Sequence, residues 1–305
     1  MKLLGRLKIL GALLIAAVLL GILFVWNMGA VLVAPSNHRI GMPPVGLRVE
    51  NVEFPSASGA TIYGWFVAGK AGQGVVVLMH GIHGDRTTLV SRAEFLSRAG
   101  YAVLLFDFQG HGESRGHQIT FGFLESRDAI AAVNFIHHQL PGEKVGVLGI
   151  SMGAAAALLA APPLPVNALI LESSYPTIYQ ATEDRLGLRF GWLGRLATPL
   201  LTCQLKPRLG ISQDDLNPLA CARRIPVPKF FLAGTLDRDT TIEEAKALFV
   251  AAAEPKQAWW IDGAGHEDLH RFAGSEYETR VLAFLAGQLN RNGSAQPRMN
   301  PDGHR

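Results

Sequence analysis

The chain has 305 residues, of which 49% are hydrophobic and 17% are charged, and its formal net charge is +3. This length and composition allow one large buried core or two small ones. The small net charge, without a block of lysines and arginines, disfavours nucleic acid as a partner, whereas a mild basic excess is compatible with an anionic membrane surface.

The apolar excess is concentrated at the N-terminus. Residues 9–33 carry no charged side chain and are numerous enough to cross a bilayer. Three basic residues precede them, Lys2, Arg6 and Lys8. By the positive-inside tendency, residues 1–8 stay in the cytoplasm and the chain beyond the span is exported. A cleaved signal peptide is the competing interpretation. Ala34 is the candidate cleavage site, but Pro35 follows it directly. This proline and the length of the apolar run favour an uncleaved single-pass signal anchor.

A linker bearing Pro and Gly, residues 34–46, follows the anchor. Beyond it, alternating apolar and polar residues predict a β-hairpin, and continuous apolar runs predict strands buried on both faces. The predicted strands cover residues 47–54, 60–68, 75–79, 101–106, 144–148, 168–171, 229–233 and 258–261. The predicted helices cover residues 87–99, 121–138, 154–161, 242–252 and 269–289. This alternation indicates a doubly wound, mostly parallel sheet, in which ligands lie at the carboxyl ends of the strands.

Two segments do not fit this alternation. Residues 175–225 are aromatic, basic and punctuated by Gly and Pro. A long regular amphipathic helix is not expected there, because the segment contains three closely spaced glycines, Gly187, Gly191 and Gly194. Residues 291–305 are polar, and we predict that they are disordered.

The stretch Gly149-Ile150-Ser151-Met152-Gly153 lies between a predicted buried strand and an Ala-rich predicted helix. Strand, Gly-x-Ser-x-Gly and helix in this order are typical of a nucleophile elbow, whose sharp turn exposes the serine hydroxyl. The two glycines keep the turn free of side chains that would collide with neighbouring backbone. An ordinary glycine-rich turn is the alternative, since the chain contains 33 glycines.

A serine nucleophile needs an adjacent base, and the base needs a carboxylate to orient it. Asp237 and His266 each follow a predicted strand, as Ser151 does. We therefore predict Ser151 as the nucleophile, His266 as the base and Asp237 as the acid. Asp239 is the main competitor for the acid. Glu172 also ends a strand, and it is either a displaced acid or buried support for the turn.

Acyl transfer also needs N–H donors for the oxyanion that develops on the substrate. One predicted donor is the backbone N–H of Met152, directly after the nucleophile. The second is the N–H of Ile82, in the loop after the third strand, where we expect the His80 side chain to hydrogen-bond within the loop.

These motifs, taken in chain order from about residue 47 to residue 289, resemble those of the α/β-hydrolase superfamily of serine hydrolases. The segments that carry the resemblance are His80-Gly81, residues 107–114, the elbow, the Asp237 loop and Gly265-His266. Leu171-Glu172-Ser173-Ser174 and Asn217-Pro218 are similar to the Bem46-like or "serine aminopeptidase" (hydrolase-4) branch.

The resemblance implies an eight-stranded, mostly parallel sheet at residues 47–290, no cofactor, and a cap inserted after the sixth strand, at residues 175–225. One departure concerns the acid. That branch usually has an apolar residue and Pro shortly after its acid, whereas this chain has Arg238-Asp239-Thr240-Thr241.

We expect a membrane-anchored serine hydrolase that cleaves carboxylic esters or thioesters of lipid-like or other acyl substrates, with its catalytic domain outside the cytoplasm. One alternative is a serine peptidase that releases N-terminal residues, with Glu183-Asp184 or Asp214-Asp215 binding the free amine. Another is a non-catalytic envelope scaffold on the same fold. No spaced set of ligands predicts a metal site.

Two features of the chain each allow two interpretations. The cap is rich in apolar side chains, namely Phe190, Trp192, Leu193, Leu196, Leu200 and Leu201. They form an acyl pocket or a lid on the membrane surface, or else they pack the cap against the sheet. Cys203 and Cys221 either pair, in an exported domain, or remain free thiols.

Overall fold

The computed structural model describes residues 2–290, and its strands and helices alternate along the chain. The strands of the main sheet are β1 (Glu50–Pro55), β2 (Thr61–Val67), β3 (Val75–Met79), β4 (Ala102–Phe106), β5 (Val145–Ile150), β6 (Ala168–Glu172), β7 (Lys229–Gly234) and β8 (Lys256–Ile261). The helices are α1 (Lys2–Leu32), α2 (Val90–Arg98), α3 (Glu125–Gln139), α4 (Met152–Leu159), α5 (Ile178–Thr202), α6 (Leu205–Leu209), α7 (Pro218–Ala222), α8 (Ile242–Ala251) and α9 (Leu269–Leu289).

The eight strands form one sheet in the order β8-β7-β6-β5-β3-β4-β2-β1. β2 runs antiparallel to β1 and to β4, and the other neighbours are parallel. This arrangement confirms the mostly parallel, eight-stranded sheet that the sequence predicted. The carboxyl ends of β5, β7 and β8 therefore lie along one edge of the sheet, which is where ligands bind in such folds.

The core lies on both faces of the sheet, as β3 shows. Its five residues are all buried, and they alternate between two apolar clusters. Val75, Val77 and Met79 pack on the side of α3, α4 and α8, whereas Val76 and Leu78 pack on the side of α2 and α9. A continuous apolar run is thus what a strand covered on both faces requires.

Helix α3 begins later than the sequence predicted. Phe121 and Gly122 have φ values of 56° and 117°, which a right-handed helix does not admit, so the helix starts at Glu125. The predicted start at residue 121 was therefore wrong by one turn, because the apolar spacing continues through this left-handed stretch.

The cap segment is more helical than its sequence indicated. It follows β6, as expected, and most of it belongs to α5, α6 and α7. Gly191, with φ 61° and ψ −141°, interrupts α5, but Gly187 and Gly194 remain helical. Only one of the three glycines therefore breaks the helix. At Gly194 a side chain would collide with the Leu186 carbonyl, so this glycine serves close packing.

Helix α1 is long and apolar enough, over Arg6–Leu32, to cross a membrane. It begins at Lys2 and so includes the basic residues that were predicted to precede the span. Within the predicted linker, Ser36–Asn37, hereafter the strap, pairs in parallel with His111–Gly112. The Asn37 side-chain amide also donates to the carbonyl oxygens of Gly112 and Ser114, at 3.2 and 3.0 Å.

Two further expectations concern the cysteines and the C-terminal tail. Cys203 and Cys221 are both free thiols, so they do not pair. The tail predicted to be disordered, residues 291–305, lies outside the described residues.

Candidate active site

Ser151 occupies a strained turn between β5 and α4. Its φ of 50° and ψ of −110° are unusual for a residue with a side chain, and it is buried. A Cβ added at Gly149 would lie 2.6 Å from the Ala154 nitrogen, and one at Gly153 would lie 2.7 Å from the His80 carbonyl oxygen. Because the backbone approaches so closely at both positions, glycine is required there and the geometry is that of a nucleophile elbow.

Asp237 and His266 meet at the same edge of the sheet. Asp237 follows β7, His266 follows β8, and the His266 Nδ1 lies 2.8 Å from the buried Asp237 Oδ2. The other carboxylate oxygen, Oδ1, accepts the N–H groups of Asp239 and Thr240, both at 2.9 Å. The turn therefore aims Oδ2 at the ring. A proton held on Nδ1 leaves Nε2 free to accept another.

The competing carboxylate of Asp239 points elsewhere. Its Oδ1 lies 3.5 Å from the Arg185 Nε of the cap, so it joins the cap to the loop after β7. Within residues 2–290 the His266 ring is hydrogen-bonded to Asp237 alone, and a direct bond to Ser151 is not present. The structure thus brings the predicted acid and the predicted base together and leaves the predicted nucleophile on the same edge, at the end of β5.

His80 fixes the loop that adjoins Ser151. Its Nδ1 donates to the Gly81 carbonyl oxygen at 2.7 Å, and its Nε2 accepts the Phe108 N–H at 3.0 Å. Burial lowers the pKa of His80 to about 3, so the ring is neutral and keeps both bonds. A Cβ at Gly81 would lie 3.6 Å from the Ser151 Cβ, which puts the Ile82 segment beside the elbow.

Glu172 supports the elbow from below. Its carbonyl oxygen accepts the Ser151 N–H at 2.8 Å, and its carboxylate binds the Arg92 Nη2 at 2.9 Å and the hydroxyl of Tyr277. Arg92 also pairs with Asp268 at 2.9 Å, although the Arg92 side chain is only 1% exposed. With its carboxylate held in this buried network, Glu172 is structural support.

Sequence reasoning did not find Arg92 or Tyr277. The signal in the sequence was a charged residue on an apolar helix face, because Arg92 lies three residues after Leu89 and four before Leu96. Such a position requires a buried partner for the charge, and here Glu172 is that partner.

Ser151 opens into a cavity of about 390 Å³, a size typical of small-molecule sites. Met152 and Ile82 line it together with Ser151, whereas Asp237 and His266 lie outside its lining. The walls are mostly apolar and come from the cap, from the loops around the elbow and from the end of α1. Among the described residues that line it there is no Asp or Glu, but Arg185, Arg189 and Arg208 contribute cations.

Comparisons with known proteins agree with this fold. Residues 70–217 match the family model described as serine aminopeptidase, S33. The uncharacterized protein Rv2307c of Mycobacterium tuberculosis is 26% identical over 274 residues, which are 87% of this chain and 89% of the relative. The uncharacterized protein YfhR of Salmonella typhimurium is 24% identical over 281 residues, covering 84% and 87%.

Among solved structures, the esterase Pf2001 of Pyrococcus furiosus superposes with a TM-score of 0.68 at 25% identity, over 84% of this chain and 99% of that one. The chain belongs to the α/β-hydrolase superfamily. Ser151 stands at the end of β5 and before α4, the strand–turn–helix context in which Gly-x-Ser-x-Gly is typical of α/β hydrolases.

The acidic residues considered for binding a free amine do not contribute to the lining of the cavity. None of Glu183, Asp184, Asp214 and Asp215 lines it. The Asp215 carboxylate instead accepts the N–H and hydroxyl of Ser212, at 2.7 and 2.8 Å. Within residues 2–290, no group of three or more His, Cys, Asp or Glu side chains is arranged to hold a metal ion.

Proposed function

We propose that this α/β hydrolase is a membrane-anchored serine hydrolase that cleaves carboxylic esters or thioesters through an acyl-enzyme. The observation that carries the proposal is the strained Ser151 elbow, which opens into an apolar cavity on the sheet edge where His266 and Asp237 are hydrogen-bonded. A residue held at so costly a backbone conformation is typical of a site whose chemistry needs it.

In the first half-reaction, Ser151 Oγ attacks the carbonyl carbon of the substrate while His266 Nε2 accepts the hydroxyl proton. Asp237 holds the ring and stabilises the imidazolium that forms. The N–H groups of Met152 and Ile82 bind the oxyanion of the tetrahedral intermediate. When the intermediate collapses, the bond to the alcohol or thiol breaks, and the leaving group takes the proton from His266.

In the second half-reaction, water attacks the acyl carbon of the Ser151 ester. His266 accepts a proton from the water, and a second tetrahedral intermediate forms in the same oxyanion site. Its collapse releases the carboxylic acid and returns the proton to Ser151 Oγ, so the enzyme is regenerated with no change in its own oxidation state.

The charge of the cavity favours esters and thioesters over peptides with a free N-terminus. A substrate ammonium group needs a carboxylate partner, and the lining offers Arg185 and Arg189 instead. The aminopeptidase alternative is therefore disfavoured, and the intact acid–base pair disfavours a scaffold without activity.

The apolar helix α1 supports a single-pass anchor with the hydrolase domain outside the cytoplasm. Basic side chains occur before the apolar run, at Arg6 and Lys8, and the helix leads directly into the strap on the domain. The strap contacts support an anchor that stays attached, since they hold the helix end to the folded domain.

A fluorophosphonate probe, which reacts with activated serines, tests the proposal. The full-length protein is expected to be labelled at Ser151, and Ser151→Ala is expected to lose labelling completely, as read by mass spectrometry. Ser173→Ala is the matched control, because Ser173 is also a buried serine with positive φ after a strand. Folded wild-type protein that never reacts with the probe would contradict the proposal.

A further inference from the structure

The last turns of α1 form part of the cavity that contains Ser151. Met28, Gly29 and Leu32 of α1 line it, together with Val33 directly after the helix. Val25 belongs to a small buried cluster with Leu186 and Leu201 of the cap, and Met28 and Leu32 pack against that cluster. The anchor is thus in contact with the substrate cavity as well as with the cap.

Polar contacts hold α1 against the cap at one place. The Gln204 side-chain amide donates to the Val25 carbonyl oxygen at 3.1 Å. The Arg208 guanidinium donates to the Trp26 carbonyl oxygen and lies 4.3 Å above the Trp26 ring. At Gly29 an added Cβ would lie 2.9 Å from the Gln204 Cδ, so the absence of a side chain allows α1 to approach the turn between α5 and α6.

The strap fixes the other end of this contact. Only residues 33–35 separate the end of α1 from the strap strand, and the Val33 carbonyl oxygen accepts the Ile119 N–H at 2.9 Å. The Ser36 N–H donates to the Gly110 carbonyl oxygen at 2.7 Å. The helix therefore leaves the domain at a defined place, beside the cavity.

Helix geometry gives the depth in the bilayer at which α1 lines the cavity. A hydrocarbon core about 30 Å thick takes about 20 residues at about 1.5 Å per residue. Counted from Ile9, the first residue after Lys8, the twentieth residue is Met28. Met28 to Val33 then lie at the boundary of the leaflet next to the domain, and Trp26 occupies the level that tryptophan favours at membrane interfaces.

The cap carries an apolar surface at the same level. Phe190 packs edge-on against Phe24 of α1, with 6.3 Å between ring centroids. Five of the six apolar side chains of the cap named from the sequence, all except Leu201, are exposed; Trp192 is 70% exposed and Leu196 is 66% exposed. They therefore do not pack the cap against the sheet, which corrects that alternative, and they extend the apolar face of α1.

We propose that the membrane anchor is one wall of the acyl pocket, and that the substrate is an ester or thioester of a single long acyl chain taken directly from the adjoining leaflet. This inference rests on the proposed function. The acyl chain enters along Met28 and Leu32, between α1 and α5, and its carboxyl carbon reaches Ser151. The anchor then determines chain-length selectivity as well as location.

Gly29→Leu tests the wall, with Gly21→Leu as the matched control in the same helix, because an added Cβ at Gly21 meets no atom within 4 Å. Full-length proteins are reconstituted in vesicles. Hydrolysis of vesicle-borne monopalmitoyl glycerol is measured against that of water-soluble p-nitrophenyl butyrate. Gly29→Leu is expected to lower the long-to-short ratio by at least about tenfold, as when about two methylene groups remain in water. Gly21→Leu is expected to match the wild type.

The outcomes distinguish this inference from the proposed function. If wild type reacts with the fluorophosphonate and hydrolyses butyrate, but Gly29→Leu keeps the wild-type ratio, the anchor is not a wall and the serine hydrolase stands. If wild type neither reacts nor hydrolyses either ester, both proposals are wrong. A wild type that hydrolyses butyrate but not the long-chain ester overturns the inference alone.

A second variant covers the case in which Gly29→Leu does not fold, as judged by loss of probe labelling. Leu32→Trp enlarges a side chain on the cavity wall, three residues after Gly29. It is expected to shift the preferred acyl chain toward shorter lengths across a series of monoacyl glycerols. A chain-length profile equal to that of wild type would overturn the inference.

Discussion

At the residue scale, the proposed acid Asp237 and its neighbour Asp239 differ mainly in the contacts that their carboxylates make. Both follow β7, so chain order alone left the acid open. The structure distinguishes them by backbone geometry, since two N–H groups of the turn bind Asp237 Oδ1 and direct Oδ2 to His266. The residues after Asp237 differ from those usual in the hydrolase-4 branch, yet they still close this turn.

Asp237→Asn is expected to lower kcat on a soluble ester by about 10⁴-fold, because an amide can present its NH₂ to the ring and favour the wrong tautomer. Asp239→Asn removes only a partly exposed ion pair, worth at most about 1 kcal/mol, and should change kcat by less than about fivefold. Steady-state kinetics of both variants make the comparison. Greater loss in Asp239→Asn would show that the acid is assigned to the wrong residue.

At the scale of elements, Glu244 of α8 takes part in a local interaction within its own helix and in a long-range one with the cap. Thr241 and Glu244 form the capping box that starts the helix. Glu244 is also buried beside Asp184 of α5. Burial first, and Asp184 second, raise the pKa of Glu244 to about 8. The capping role follows from the sequence, whereas the burial of Glu244 beside Asp184 of the cap depends on tertiary packing.

The raised pKa of Glu244 gives a pH dependence of stability with a defined sign. From about pH 4.5 to about pH 8 the folded state holds a proton that the unfolded chain releases, so the free energy of unfolding falls as pH rises through this window. Glutamine does not titrate, so Glu244→Gln removes this pH-dependent fall in the free energy of unfolding. It is expected to be more stable than wild type at pH 8, by on the order of 2 kcal/mol, and to gain little near pH 4.5.

Urea unfolding of the full-length protein in detergent at the two pH values measures this difference. Glu243→Gln is the control, because Glu243 is the exposed neighbour on the same helix turn. An advantage for Glu244→Gln that is the same at both pH values would mean that no proton is held there.

The strands and the outer helices of the domain could be predicted because their apolar patterns report burial directly. The boundary of α3 could not, since a left-handed stretch at Phe121 leaves the apolar spacing intact. Helix α5 could not be predicted from the sequence either. One of its sides faces α1 and another carries exposed apolar side chains, so its sequence lacks the polar stripe that marks an amphipathic helix.

For the whole molecule, most of the exposed large apolar side chains belong to α1 and the cap. A surface of this kind is typical of a membrane-contacting face. Charge bias and hydropathy predicted an anchor, but they contain no information on how the domain is oriented against it. The strap and the Gly29 contact set that orientation, and both depend on residues far apart in the chain.

The orientation can be measured with tryptophan fluorescence in vesicles that contain brominated lipid, which quenches tryptophan near acyl chains. Trp192→Ser is expected to remove fluorescence that the lipid quenches, because Trp192 is exposed on the cap. Trp259→Phe, in β8 and covered by Arg280, should remove fluorescence that the lipid does not quench. Equal quenching in wild type and Trp192→Ser would place the cap away from the bilayer.

Only three residues connect α1 to the strap, so the domain cannot move far from the end of the helix. A domain on a long tether samples a volume above the membrane and meets substrates from solution. With α1 as the proposed anchor and an acyl ester of the leaflet as the proposed substrate, a domain held as this one is would encounter substrate by lateral diffusion, a search in two dimensions. Its working concentration is then the mole fraction of acyl ester in the surrounding lipid. Adding inert lipid would slow turnover, whereas diluting the whole suspension would not.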